Sequence, residues 1–291
     1  MLVGHQTILE KLQKDAARGT LHHAHLFLGP EHVGKTKTAL TLAVALQGAE
    51  DKVFEKKHLL EGLDPDTLLF LDAGEGLGIE MVRNIVERCN QGHQKPYLIV
   101  VIENLGRLKA EACNALLKTL EEPHPGALFL LTANHEEDVL PTIRSRTQVH
   151  FFQTLSDETM LPLLEGHPLT PRLLFFAMGR PGKLLRLLND TAYLDAHETM
   201  LRDLTEFMER PQTARVFALT RKYEGGELLA EFLDVLLRRC RTHLLSRDAH
   251  QALAHLDFSR VLEQTEDAKL ALRNNVNAKL LLENLLLPFV P

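Results

Sequence analysis

Gly29-Pro30-Glu31-His32-Val33-Gly34-Lys35-Thr36 is a complete GxxxxGK[ST] sequence, and its setting decides how the chain folds. It follows a short apolar stretch, Ala24 to Leu28, that reads as a buried strand. It opens the helical pattern Ala39-Leu40-Ala43-Val44-Leu46. In a strand–loop–helix of this kind Gly29 and Gly34 let the backbone curl, with Pro30, Glu31, His32 and Val33 between them, so that successive N–H groups point inward at phosphate oxygens. The start of the helix adds its partial positive charge. Lys35 is then expected to bridge the β- and γ-phosphates, and the Thr36 hydroxyl to ligate Mg²⁺. A chance glycine turn at a helix start is the alternative, and the strand–loop–helix context weighs against it. Nucleotide binding, with ATP and Mg²⁺ as cofactors, is the expectation.

Outward from this loop, the first half of the chain alternates between helical and strand patterns. Thr7 to Ala17 carries apolar residues at helical spacing, Leu68 to Leu71 reads as a second strand, and Ile79 to Cys89 as a helix. Tyr97 to Ile102 is a β-branched run entered from Pro96. The helix Glu111 to Glu121 ends before Pro123, and strands follow at Ala127 to Thr132 and Gln148 to Phe152. Strands alternating with helices imply crossover connections and a parallel sheet covered on both faces, an α/β fold with five strands. After Phe152 the alternation stops. Thr154 to Glu165, Arg172 to Ala177 and Gly182 to Leu188 predict three short helices, and from Ala192 only helical periodicity remains, longest across Leu228 to Leu245. The expected division is therefore 1–153, a nucleotide-binding domain; 154–190, a small helical segment; and 191–291, an all-α domain.

Composition narrows the class. The 291 residues suggest about two domains. With 45% hydrophobic and 25% charged residues, disorder and fibrous repeats are excluded. No apolar run reaches the roughly 18 residues needed to span a bilayer, and Met1 to Gln6 does not read as a secretory signal. A cytoplasmic chain with no membrane association is expected. The net charge of −6 excludes a generally basic nucleic-acid coat. Cys89, Cys113 and Cys240 lie far apart with no CxxC pair, which argues against a disulfide framework or a four-cysteine zinc site.

The second half of a nucleotide site is expected at the end of a later strand. Active ATPases usually have Asp-Glu there, the first ordering the magnesium shell and the second polarising the attacking water. This chain offers Glu103-Asn104. Glu103 keeps a carboxylate that can reach Mg²⁺ through water, although a simple strand-end cap is the plainer role. Asn104 takes up no proton at neutral pH and is a poor general base.

At this point the sequence resembles a known family. His23-Ala24-His25-Leu26-Phe27-Leu28-Gly29-Pro30, Asn114-Ala115-Leu116-Leu117-Lys118-Thr119-Leu120-Glu121-Glu122-Pro123 and Thr142-Ile143-Arg144-Ser145-Arg146 together look like the AAA+ clamp-loader subunits of bacterial DNA polymerase III, whose eukaryotic counterpart is replication factor C. The similarity runs from about Val3 to Phe152. Leu155 to Leu188 resembles the AAA+ lid, and Val276 to Glu283 the last helix of the C-terminal collar. The motor subunits of the family, gamma/tau, have an intact Asp-Glu pair and four zinc cysteines. This chain lacks both and is similar to the delta prime type, the relatively rigid stator of the ring. Ser145-Arg146-Thr147 departs from the usual Ser-Arg-Cys only at the third place.

The resemblance implies a function: assembly with gamma/tau and delta subunits to load the sliding clamp on primed DNA during replication. It also implies roles for particular residues. Arg146 would reach a neighbour's γ-phosphate as an arginine finger in trans, a charge worth roughly 10³ to 10⁵ in rate, rather than pairing with a surface carboxylate. Asn134 matches the first sensor of the γ-phosphate, a turn-forming Asn being the plainer reading. Lys183 lies where the lid's sensor cation would be, and is as readily an ordinary solvated lysine. Leu2-Val3-Gly4 is a weak candidate for touching adenine. Two other readings stay open: a self-sufficient AAA+ motor using Glu103, and an assembly module with a relict phosphate loop.

Other features read as structural. His22, His23 and His25 cluster without the carboxylates or cysteines of a metal site. Arg238, Arg239 and Arg241 are expected to pair with acids across a helix interface, with DNA contact a lesser option. Leu280 to Leu287 reads as a buried helix face packed against sister subunits.

Overall fold

The computed structural model describes residues 3–48, 66–71, 78–164, 166–246, 253, 255–272 and 276–291. The chain divides into two compact units, Met1–Glu165 with Gly179–Gly182, and Gly166–Met178 with Lys183–Pro291.

The first unit runs α1 (Gln6–Ala17), β1 (Ala24–Leu28), α2 (Lys35–Gln47), β2 (Thr67–Phe70), α3 (Ile79–Asn90), β3 (Leu98–Ile102), α4 (Ala110–Glu121), β4 (Ala127–Ala133), α5 (Pro141–Arg144), β5 (Gln148–Phe151) and α6 (Asp157–Met160). The strands form one five-stranded sheet in the order β2-β3-β4-β1-β5, every pair parallel. That is the sheet the alternating pattern predicts. Why the strands read as unbroken apolar runs is visible in where successive side chains go. Leu26, Val100 and Phe129 face Val82, Ile85 and Leu116 of α3 and α4. Phe27, Ile99 and Leu130 face Leu12 of α1 and Leu42 and Ala43 of α2. With both faces covered, neither parity of the period-two pattern meets water, and each such side chain contributes about 1.5–3 kcal/mol on burial.

The expected helix across Thr154 to Glu165 is shorter and broken. Ser156 Oγ accepts from the Thr159 amide to cap α6, and the chain tightens into a 3-10 turn over Leu161–Leu164. Pro162 has no amide to continue the α-helical ladder. Glu165 and Leu2 lie outside the described residues.

The three strand-entrance histidines make structural contacts. His22 bonds the backbone of Ala24 and His23 the Leu120 carbonyl. His25 is fully buried and meets His150 of β5, Nδ1 to Nε2, at 3.0 Å. Burial, with the neighbouring His150, pushes the His25 imidazole down to about 3, and burial with nearby Lys11 pushes His150 to about 4. Both sit below the ordinary 6.5, so the unfolded chain takes up these protons first. Stability is therefore complete above pH 6.5 and is lost as pH falls towards the folded values. Between pH 8 and pH 5 the pair is expected to cost about 2–4 kcal/mol. Urea unfolding at the two pH values checks this, and a His25→Gln/His150→Gln variant should show a much flatter dependence.

The second unit holds α7 (Thr170–Ala177), most of α8 (Pro181–Asn189), then α9 (Thr191–Glu209), α10 (Thr213–Tyr223), α11 (Gly226–Ser246), α12 (Phe258–Ala271) and α13 (Ala278–Leu286). Several starts are set by side-chain caps. Asp190 accepts from the Tyr193 amide, Asp257 from Ser259 and Arg260, and Asn277 from Leu280. The leucine-rich end divides: Leu281, Leu282, Leu285 and Leu286 are buried within this unit, while Leu280 and Leu287 are exposed. Arg241 pairs with Glu266 of α12 at 3.1 Å, as an acid across a helix interface. Among the described residues no helix is long and apolar enough to cross a membrane.

Candidate nucleotide site

The loop after β1 closes over the N-terminus of α2 because of its two glycines. A Cβ at Gly29 would stand 2.1 Å from the Phe152 carbonyl oxygen, so no side chain fits there. Gly34 has φ 105°, a conformation that favours glycine, and its Cβ position faces open space. Between them His32 also has a positive φ, and its carbonyl accepts from the Gly182 amide at 2.8 Å.

Side chains from the start of α2 and from two strand ends converge on this loop. Lys35, largely buried, donates from Nζ to the Gly29 carbonyl at 2.7 Å, the Pro30 carbonyl at 2.6 Å and Asn134 Oδ1 at 3.0 Å. Burial lowers its pKa to about 8, against the opposing pull of Glu31 and Glu103. Asn134, just beyond β4, gives its other amide group to Glu31 Oε1 at 2.8 Å. Thr36 Oγ1 donates to Glu103 Oε1 at 2.6 Å. Glu103 stands at the end of β3, its own amide donating to the Phe70 carbonyl of β2 at 2.9 Å.

Chemically this is a cation and two hard oxygen donors, from Thr36 and Glu103, at the start of a helix. That set suits phosphate oxygens and a divalent metal shell. Carbonyl oxygens and an amide now satisfy the lysine, and phosphate oxygens are better acceptors for the same three protons.

Asn104 follows Glu103 directly, and Arg146 and Lys183 make their contacts elsewhere. Asn104 has φ 60°, and its amide donates to Thr132 Oγ1 of β4 at 3.0 Å. Thr132 is a support that sequence reading passed over. Its signal is a single hydroxyl near the end of the otherwise apolar run Ala127–Ala133. Arg146 follows α5. Its Nη1 donates to the Thr142 carbonyl at 2.8 Å and to Ser145 Oγ at 3.3 Å, and its Nη2 pairs with Glu121 of α4 at 2.5 Å. Its side chain keeps 33% of its surface in solvent. The neighbouring Arg144 pairs with Glu136.

Lys183 is not in the first unit. It is buried in the second, its ammonium paired with Glu231 and, at 3.3 Å, with Asp234. The residue before it, Gly182, is the one that meets the phosphate loop. The expected sensor position thus falls on a lysine already engaged by two carboxylates.

The sequence model of the family described as DNA polymerase III, delta subunit, matches residues 4–156. A DNA polymerase III subunit delta' of Haemophilus influenzae is 31% identical over 205 residues, 68% of this chain and 62% of that protein. A DNA polymerase III subunit gamma/tau of Mycobacterium tuberculosis is 31% identical over 172 residues, 56% of this chain and 30% of its own length. The chain thus spans less than two thirds of these relatives. Across nearly its whole length it shares a fold with a DNA polymerase III gamma subunit-related protein of Thermotoga maritima, with a TM-score of 0.54, 19% identity, and coverage of 97% of this chain and 98% of that one. With more than half its length matched, the chain belongs to the DNA polymerase III delta-subunit family, as a delta prime-like AAA+ clamp-loader subunit of the replication machinery.

Proposed function

We propose that this chain is the stator-type member of a clamp loader. It binds ATP with Mg²⁺ in its own loop, hydrolyses it slowly, and lends Arg146 to the nucleotide of an adjoining subunit. In this reading it assembles with gamma/tau and delta subunits to load the sliding clamp on primed DNA, with 154–190 as lid and 191–291 as collar.

The observation that supports the reading most is the pairing of Thr36 with Glu103 beside Lys35, next to an Asn104 whose amide is held by Thr132. The groups that grip a metal triphosphate are present, and the adjacent position that would deprotonate water carries an amide. When bound, the nucleotide supplies a γ-phosphoryl group and its metal. Lys35 would hold the phosphates, the Thr36 hydroxyl and Glu103 would serve the metal, and Asn134 would orient beside the γ-phosphate.

Titration of the isolated chain with ATP and Mg²⁺ tests this. Lys35→Met is expected to weaken binding by at least about a hundredfold, the loss of a charged donor to phosphate. The melting temperatures of the nucleotide-free wild type and variant, compared beside it, separate a binding loss from the loss of the contacts that Lys35 makes with Gly29, Pro30 and Asn134. Turnover of the wild-type chain alone near the enzyme median of about 10 s⁻¹ would refute the stator reading. Failure of the chain to form a defined complex when mixed with gamma/tau and delta subunits would refute the assembly role.

A further inference from the structure

The second unit contains a cleft of about 630 Å³ between α7, α9 and α11, a size typical of ligand pockets. Its walls are apolar, formed chiefly by Leu169, Phe175 and Leu201, and its two charged lining groups are Arg172 and Arg239. No carboxylate lines it. In a chain of net charge −6 this is a local reversal of sign.

The state of each polar group narrows what the cleft accepts. The hydroxyls of Thr205 and Thr242 have spent their protons on the carbonyls of Leu201 and Arg238, at 2.8 and 2.9 Å. Arg172 uses its Nε on Glu198 at 3.0 Å, and half of its side-chain surface remains in solvent. Arg239 Nε is buried and, among the described residues, has no hydrogen-bond partner. Among the described residues no carboxylate pairs with Arg239, so its charge at the cleft is uncompensated, and a carboxylate is the acceptor that suits a guanidinium best. The cleft therefore offers cationic donors on an apolar floor.

We propose that this cleft is a docking site for a short acidic and apolar segment of a partner protein, a carboxylate meeting Arg239 and Arg172 while apolar side chains pack on Phe175 and Leu201. Nucleic acid is disfavoured by the same observations. A backbone track needs a row of free cations, whereas the cleft has two cationic residues, and Arg241, close by in the sequence of α11, is shared with Glu266.

Fluorescence anisotropy with the full chain tests the proposal. The probes are a labelled peptide alternating leucine or phenylalanine with aspartate, the same peptide with lysine for aspartate, and a labelled single-stranded oligonucleotide. The acidic peptide is expected to bind, more weakly as salt rises, and the lysine peptide is not. Arg239→Ala and Arg172→Ala should each weaken binding about tenfold or more, and Arg241→Ala, outside the cleft, should leave it unchanged. Arg172 is half exposed, so its variant remains informative if Arg239→Ala fails to fold. No binding of the acidic peptide at millimolar concentration, equal binding by the arginine variants, or tighter binding of the oligonucleotide than of the acidic peptide would each overturn it.

Discussion

Arg146→Ala is expected to lower the ATPase rate of the assembled clamp loader by about a thousandfold at the site it serves, while the affinity of this chain for nucleotide stays unchanged. The separation of the two effects follows from where the side chain sits. Arg146 contacts Thr142, Ser145 and Glu121, none of which belongs to the loop around Lys35. Its ion pair with Glu121 is partly exposed and worth under about 1 kcal/mol, so the variant should fold normally. Arg146→Lys should fail to restore the rate, because a compact ammonium does not reproduce a planar fork of donors on a transferring phosphoryl group. The measurement is turnover of the complex reconstituted with clamp and primed DNA. A rate equal to that of the wild type removes the finger.

The largest stability effect is expected from Glu231→Ala, a loss of about 3–5 kcal/mol in urea unfolding. Glu231 of α11 accepts from Lys183 and from the Tyr193 hydroxyl, and meets His197 Nε2 at 3.2 Å. Lys183 and His197 are both buried. Truncation removes the carboxylate that Lys183 and His197 share, and Asp234, at 3.3 Å from the ammonium, already gives its other oxygen to Lys269. Burial pushes the Glu231 carboxyl up, but His197, Lys183 and Tyr193 outweigh it and hold the group well below the carboxylate range. Its folded pKa is thus below the unfolded one. The contribution is present above the ordinary 4.5 and fades as pH falls below it. Glu231→Gln should lose less, because it can still bond Tyr193. A loss under about 1 kcal/mol for Glu231→Ala would mean that Glu231 is not what compensates the buried ammonium.

The parts of the structure legible in the sequence are those with a local cause. β3 and β4 are readable because a strand covered on both faces must be apolar at every position. The phosphate loop is readable because its glycines, lysine and hydroxyl have fixed spacing. Glu103 is readable from the strand end it follows and Asn134 only through the family resemblance; their contacts with Thr36 and Lys35 arise because a parallel sheet brings strand ends to one edge. What escaped the reading depends on distant partners. Lys183 follows a Pro-Gly helix start, and nothing in that local sequence reveals that Glu231 and Asp234, on a helix far along the chain, neutralise it. Thr132 is likewise silent until β3 and β4 are paired. The break at Pro162 was legible in principle, and the apolar spacing around it masked the missing amide.

Gly29 gives the fold a linkage between two places that the sequence keeps far apart. Its Cα lies against the Phe152 carbonyl, whose amide in turn donates to Leu28 at 2.7 Å. Phe152 comes six residues after Arg146, at the far end of β5. No side chain cushions this contact, so the bend after β1 and the end of β5 bear directly on each other. A side chain at position 29 would therefore displace the residue that follows β5, so Gly29→Ala is a change felt on both sides of this seam.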